Sequence, residues 1–183
     1  MGKFVPLVVI FCLAVLGSAL TPSSFLTTID KERLQRVFEA GLNQADVKST
    51  HYALLGFSLL NKKHSKESEA CNIFKNAITA NTLESWYHAV SGAVLIGCQV
   101  TVNNAQSFLE KYIADSVKIE ELYYAVVTMK NLKLKIDTKK VKAVVDKILA
   151  KDSSASVEAY VFHIVTIIGL DKKDLKKYFD DIE

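Results

Sequence analysis

The chain has 183 residues, half of them hydrophobic, with 7 Gly, 2 Pro and a formal net charge of +3. That is one domain's worth of chain with enough apolar residues for a sizeable core. No proline follows Pro22, which suits uninterrupted helices and argues against a turn-rich all-β fold, and so small a net charge does not suggest a nucleic-acid partner.

The first segment reads as a leader and not as part of the fold. Lys3 supplies a positive start, residues 4–16 an apolar run, and Gly17-Ser18-Ala19 a small-x-small cleavage site. About thirteen apolar residues are too few for a bilayer, which takes ~20. The expectation is a signal peptide (1–19) cut between Ala19 and Leu20; the competing reading is an uncleaved anchor. Cleavage removes Cys12 and leaves Cys71 and Cys98. Two cysteines in a secretory compartment most simply form one disulfide, the alternative being two buried free thiols. Neither has a CxxC partner or a close histidine, so no metal site is expected.

From residue 20 the chain reads as helices in order. Asp30 offers an N-cap, residues 31–40 carry Leu34, Val37 and Phe38 on one face, and Gly41 ends that helix. Residues 48–60 form an apolar helix with an aromatic start. Residues 65–77 follow as an amphipathic one with Ala70, Ile73, Phe74, Ala77 and Ile78 as its stripe. The same pairing recurs in 83–98 with 104–114, whose stripe is Phe108, Leu109, Tyr112 and Ile113. It recurs again in 119–132 with 138–150, whose stripe is Val141, Val144, Val145 and Ile148. A fourth unit starts at Ser156 and breaks off after Leu175, Tyr178 and Phe179.

These units repeat every 36 residues. Ala53, Ala89, Ala125 and Val161 form a column of small or apolar residues, and Tyr52, His88, Tyr124 and Tyr160 a column of rings beside it. Val37, Ile73, Leu109 and Val145 recur at the same spacing in the second helices. A period in the thirties implies stacked helical hairpins, so the expected fold is an all-α array of α/α hairpins, solenoid or toroid-like. It is not the tetratricopeptide pattern, which has a period of 34 and its own proline signature.

Catalytic chemistry finds little support in the sequence. His88 and His163 lie in apolar helices beside rings, where a general base has room but a packed histidine is the commoner outcome. Neither has a nucleophile partner at a suggestive spacing. Glu120–Glu121 and Asp180–Asp181 are sequence neighbours, which on a helix diverge by about 100° and do not converge on one substrate atom. No GxGxxG, P-loop or HExxH is present. Eight lysines between Lys130 and Lys151 read as the polar face of a helix whose other side carries Val141, Val144, Val145 and Ile148; the alternative is a patch for anionic lipid or an acidic partner. The ring column offers either inter-repeat packing or a groove for peptide or sugar. No Asn-x-Ser/Thr follows the leader.

An ordered set of stretches resembles the ribophorin II family. It begins with Leu20-Thr21-Pro22, Phe25-Leu26-Thr27 and Lys31-Glu32-Arg33-Leu34, and continues through residues 52–60, Ala70-Cys71 and residues 87–93. Gly97-Cys98 with the alternating residues 99–102, Tyr123-Tyr124-Ala125-Val126 and Asp174-Leu175-Lys176-Lys177 complete it. The resemblance covers nearly the whole chain after the leader. It implies the N-terminal, lumenal helical part of a non-catalytic subunit of the endoplasmic-reticulum oligosaccharyltransferase complex, which transfers a preassembled glycan from dolichyl diphosphate to Asn in Asn-x-Ser/Thr. The implied partners are the other subunits, with nascent polypeptide or the translocon beyond them; no cofactor and no catalytic residue carry over. Family members are several times longer, with β-rich lumenal domains and a C-terminal membrane region, so the expectation is a chain truncated within its fourth unit, 20–183 being one lumenal domain. Some members also carry a sequon near Asn103-Asn104-Ala105-Gln106, absent here. The rival functions are a secreted soluble binder with an aromatic-lined groove, and an enzyme built on His88 or His163.

Overall fold

The computed structural model describes residues 22–114 and 117–170, with Leu175, Lys176 and Tyr178 beyond. The expected cleavage site at Ala19 and Leu20 lies outside these residues. Among them the chain is all-helical, without strands. After a 3-10 turn, Pro22–Phe25, come α1 (Thr28–Leu42), α2 (Val47–Leu59), α3 (Glu67–Ile78), α4 (Leu83–Leu95), α5 (Ala105–Leu109), α6 (Ile119–Asn131), α7 (Thr138–Leu149) and α8 (Ala155–Ile167). None of these helices is long and apolar enough to cross a membrane.

Local chemistry sets the ends of these helices. The even-numbered four are 13 residues each, and their N-caps, Asp46, Thr82, Lys118 and Ser154, are spaced by 36. Asp46 accepts the amides of Lys48 and Ser49, and Thr82 accepts that of Ser85. At Lys118, which has no such side chain, the backbone N–H donates to Glu121 instead. Each of the four ends through a left-handed residue, Asn61, Gly97, Lys133 and Gly169, with φ between 56° and 70°. The following amides of Lys62, Cys98, Leu134 and Leu170 then donate back to Phe57, Ala93, Met129 and Val165. That bond closes a Schellman motif and releases the chain.

The even helices form one row: α2 packs on α4, α4 on α6, and α6 on α8. Ala53, Ala89, Ala125 and Val161 are buried in that row. The intervening elements pack against its members, α1 on α2, α3 on α2 and α4, α5 on α6 and α7 on α8. Val141, Val144 and Val145 of α7 are buried, as are Ala70 and Phe74 of α3. Two glycines serve this side packing. A Cβ on Gly56 would collide with the Phe38 ring, and one on Gly92 with the Phe74 ring. A Cys71–Cys98 disulfide joins α3 to the loop after α4, with a Cα–Cα distance of 5.8 Å.

The structure corrects several expectations. The first helix starts at Thr28, not beyond Asp30, because Thr27 caps it and Asp30 closes the capping box by accepting the Thr27 amide. Val37 is 64% exposed and not in the core; α1 stands at the end of the row, where no described element covers its far side. The helix expected over 104–114 breaks after Leu109 into a 3-10 turn, Glu110–Tyr112, although Leu109 and Ile113 stay buried. The helix expected to reach Cys98 stops at Leu95, as the left-handed Gly97 requires. Residues 99–102 have no regular structure.

Two stability outcomes follow. Gly92→Ala should destabilise by about 1–3 kcal/mol through overpacking, despite alanine's better helix propensity, since the Phe74 ring is fully buried and has no room to yield. A urea midpoint unchanged or raised would show that the ring can move aside. The paired change Cys71→Ala with Cys98→Ala should cost about 3–4 kcal/mol, the closure entropy of a loop of this separation. Non-reducing peptide mapping of the unaltered chain should recover the two cysteines in one linked peptide pair.

Candidate functional site: a face of stacked rings

One or two positions near the start of each even helix carry rings: His51 and Tyr52 on α2, Tyr87 and His88 on α4, Tyr123 and Tyr124 on α6, Tyr160 on α8. These helices pack side by side, and the rings of neighbouring helices meet. Tyr52 packs edge-on against His88 with centroids 5.2 Å apart, and Tyr87 stacks on Tyr124 at 4.3 Å. Tyr123 reaches Tyr160 at 5.3 Å and His163, one turn further along α8, at 6.0 Å. The column noted in the sequence, Tyr52, His88, Tyr124 and Tyr160, is therefore half of the arrangement; its partner column, His51, Tyr87 and Tyr123, also follows the period of 36 but ends in Ala159.

Burial divides the rings. His88 is fully enclosed and His51 and Tyr87 nearly so, whereas Tyr123, Tyr124 and Tyr160 are half-buried and Tyr52 and His163 are exposed. Tyr52, Leu55, Tyr87, Tyr123, Tyr124, Ala159, Tyr160 and His163 line one cleft of about 370 Å³. This cleft draws residues from α2, α4, α6 and α8 together.

Beneath the cleft, His51 and His88 form a buried pair, Nδ1 to Nδ1 at 2.9 Å. One nitrogen must donate and the other accept. The Glu84 carboxylate lies 3.8 Å from His88 Nε2 and favours the proton there, which makes His51 Nδ1–H the donor. Among the described residues His88 Nε2 has no hydrogen-bond partner, and neither has the buried Thr50 hydroxyl. Burial, reinforced by His88, pushes the His51 pKa from 6.5 down to about 4. His88 is lowered too, again mainly by burial, against the opposing pull of Glu84. His88, 0% exposed, is thus packed among the rings of His51, Tyr52, Tyr87 and Tyr124. His163 is exposed at the cleft rim.

At the starts of the same helices lies a row of charge. Lys48 donates to Glu84 at 2.9 Å. That bond holds Glu84 below the usual carboxylate range and raises Lys48. Glu120 instead accepts the hydroxyls of Tyr124 at 3.0 Å and Tyr160 at 3.4 Å. Burial pushes the phenols of Tyr87, Tyr124 and Tyr160 up, so they stay neutral at physiological pH. Elsewhere, the lysines of the 130–151 run are mostly exposed on the polar side of α7 and the turns flanking it. No cluster of His, Cys, Asp or Glu among the described residues has a geometry to hold a metal. Sequence reasoning missed the His51–His88 pair and the role of Glu120. His51 carried a signal, since it falls 36 residues before Tyr87.

The family model of the ribophorin II N-terminal domain matches residues 26–183 of this chain.

The buried pair makes folding pH-dependent. The unfolded chain binds a proton at His51 near pH 6.5, while the fold resists it until about 4, so the unfolded state gains protons first. Stability is complete above about pH 6.5 and should fall by roughly 2 kcal/mol by pH 5 from this residue. Chemical denaturation at both pH values measures it. In His51→Asn, whose amide can still donate to His88, the drop should shrink markedly; an equal drop would assign the effect to other groups.

Proposed function

Matched over residues 26–183, the chain belongs to the ribophorin II family, and from that premise we propose that it is a lumenal, non-catalytic module of the oligosaccharyltransferase complex. In this role it supports transfer of a preassembled glycan from dolichyl diphosphate to Asn in Asn-x-Ser/Thr, while the chemistry belongs to another subunit. It enters the endoplasmic reticulum through a signal peptide cut between Ala19 and Leu20, and residues 20–183 act as one helical domain. Membrane attachment belongs to parts of the full-length family beyond these residues. The family match carries this reading.

The architecture that serves it is an α/α repeat array with a period of 36 residues. In support stand the four 13-residue helices, their N-caps and their left-handed exits, all at that spacing. Such an array offers a long continuous surface without catalytic groups, which suits an assembly subunit whose partners are other subunits, nascent polypeptide or the translocon. The second reading, a secreted binder using the aromatic groove, draws on the open cleft between Tyr52 and Tyr160.

Affinity purification of the tagged chain from microsomal membranes should recover other transferase subunits. Their clean absence, together with release of the chain into the medium, would overturn the first reading in favour of the second.

A further inference from the structure

The ring-lined cleft has a chemical bias that packing alone does not require. Tyr52, Tyr87, Tyr123, Tyr124 and Tyr160 line it, and tyrosine rings are electron-rich groups that attract cations. Tyr124 and Tyr160 donate their hydroxyl protons to Glu120, so those two donors are already committed and the carboxylate is held beside the rings. Among the described residues Glu120 has no cationic partner within ion-pair distance. The nearby ammonium of Lys48 feels its charge but is hydrogen-bonded to Glu84. The cleft volume of about 370 Å³ is ample for one long side chain, and Tyr52 and His163 at its exposed rim leave it open to solvent.

We propose that this cleft is an aromatic cage for the cationic side chain, Lys or Arg, of an extended polypeptide, with Tyr123, Tyr124 and Tyr160 among its lining and Glu120 as the counter-charge at its edge. Glu120 stands outside the lining but is bonded to two of these rings. The alkyl stem of such a side chain covers the apolar parts of the rings while its charged head faces the Glu120 end. Charge complementarity selects this occupant over a sugar. A sugar stacks on rings and can hydrogen-bond a carboxylate, but being neutral it leaves the charge of Glu120 unanswered, whereas a cationic side chain both packs on the rings and neutralises it.

The inference deepens the reading of this chain as an interaction module by naming what the face recognises. Its test needs no transferase subunit, so failure of co-purification and failure of the cage are separate results. The purified chain is titrated with a blocked Gly-Arg-Gly tripeptide, its citrulline counterpart and chitobiose, while the tyrosine ring signals are followed by NMR. The arginine peptide should shift the signals of Tyr123, Tyr124 and Tyr160, and citrulline should bind weaker by roughly threefold or more. Glu120→Gln, at an exposed position that leaves the core intact, should bring arginine binding down toward the citrulline value. Tyr160→Phe should retain binding and Tyr160→Ala lose it. Equal binding of citrulline and arginine, an unaffected Glu120→Gln, or chitobiose shifting the rings in place of the peptide would each overturn the cage.

Discussion

The close approach of α2, α4, α6 and α8 at Ala53, Ala89, Ala125 and Val161 is the constraint on which the rest of the structure depends. These positions are buried, and Ala53 in addition lies against Gly41 of α1, where an added Cβ would come within 3.3 Å of the Ala53 Cβ. The residues next to that column then have no free volume of their own. Whatever stands there must pack against its counterpart on the next helix, and what stands there are rings. Flat, rigid side chains fill such a gap at low entropic cost and gain from edge-on and stacked contacts, as Tyr87 and Tyr124 do. The same tightness explains Gly56 and Gly92, which lie against Phe38 and Phe74 where any larger residue would push a flanking helix away.

That packing has a polar consequence. Rows of rings at two adjacent columns bring imidazoles as well as phenols into the interior, and a buried imidazole must be neutral and bonded. His51 and His88 solve half of this by bonding each other, leaving His88 Nε2 facing a carboxylate too far away to accept its proton. Thr128 solves its own burial by donating to the Tyr124 carbonyl one turn back. Charge is kept at the helix starts, where Glu84 and Glu120 also meet the positive end of the helix dipole. The ring face is thus apolar in its depth, acidic at one edge and open at its rim. That division follows from the packing: the deepest rings, His51, Tyr87 and His88, are enclosed between helices, while Tyr52 and His163 stand at the surface.

The disulfide adds a second restraint at the opposite end of the helices. Cys98 follows the left-handed Gly97, whose geometry turns the chain back so that the Cys98 amide meets Ala93 and its sulfur meets Cys71 on α3. Two units are thereby tied at their exits while the rings engage them near their starts.

What the sequence by itself determined is what local rules and periodicity can carry. The helical class, the period of 36, the buried column of Ala53, Ala89, Ala125 and Val161, and the apolar stripe of α7 are written in residues that lie near one another along a helix. The side-chain spacing of 3.6 residues per turn makes them legible. The resemblance to the ribophorin II family rests on different grounds, an ordered set of short stretches with both cysteines in place. What tertiary structure alone decided depends on neighbours that the local pattern does not name. Val37 sits at a core position of its period and is nonetheless exposed, because α1 has no described helix beyond it. His88 reads as one ring among tyrosines, and only the approach of α2 to α4 makes it half of a buried pair with His51. Glu120 looks like a solvated acid with Tyr124 one turn along the same helix, until the packing of α8 on α6 brings the Tyr160 hydroxyl to it as well. Each of these outcomes is set by the distance between helices far apart in the chain, and that distance is a property of the packed row rather than of any one segment.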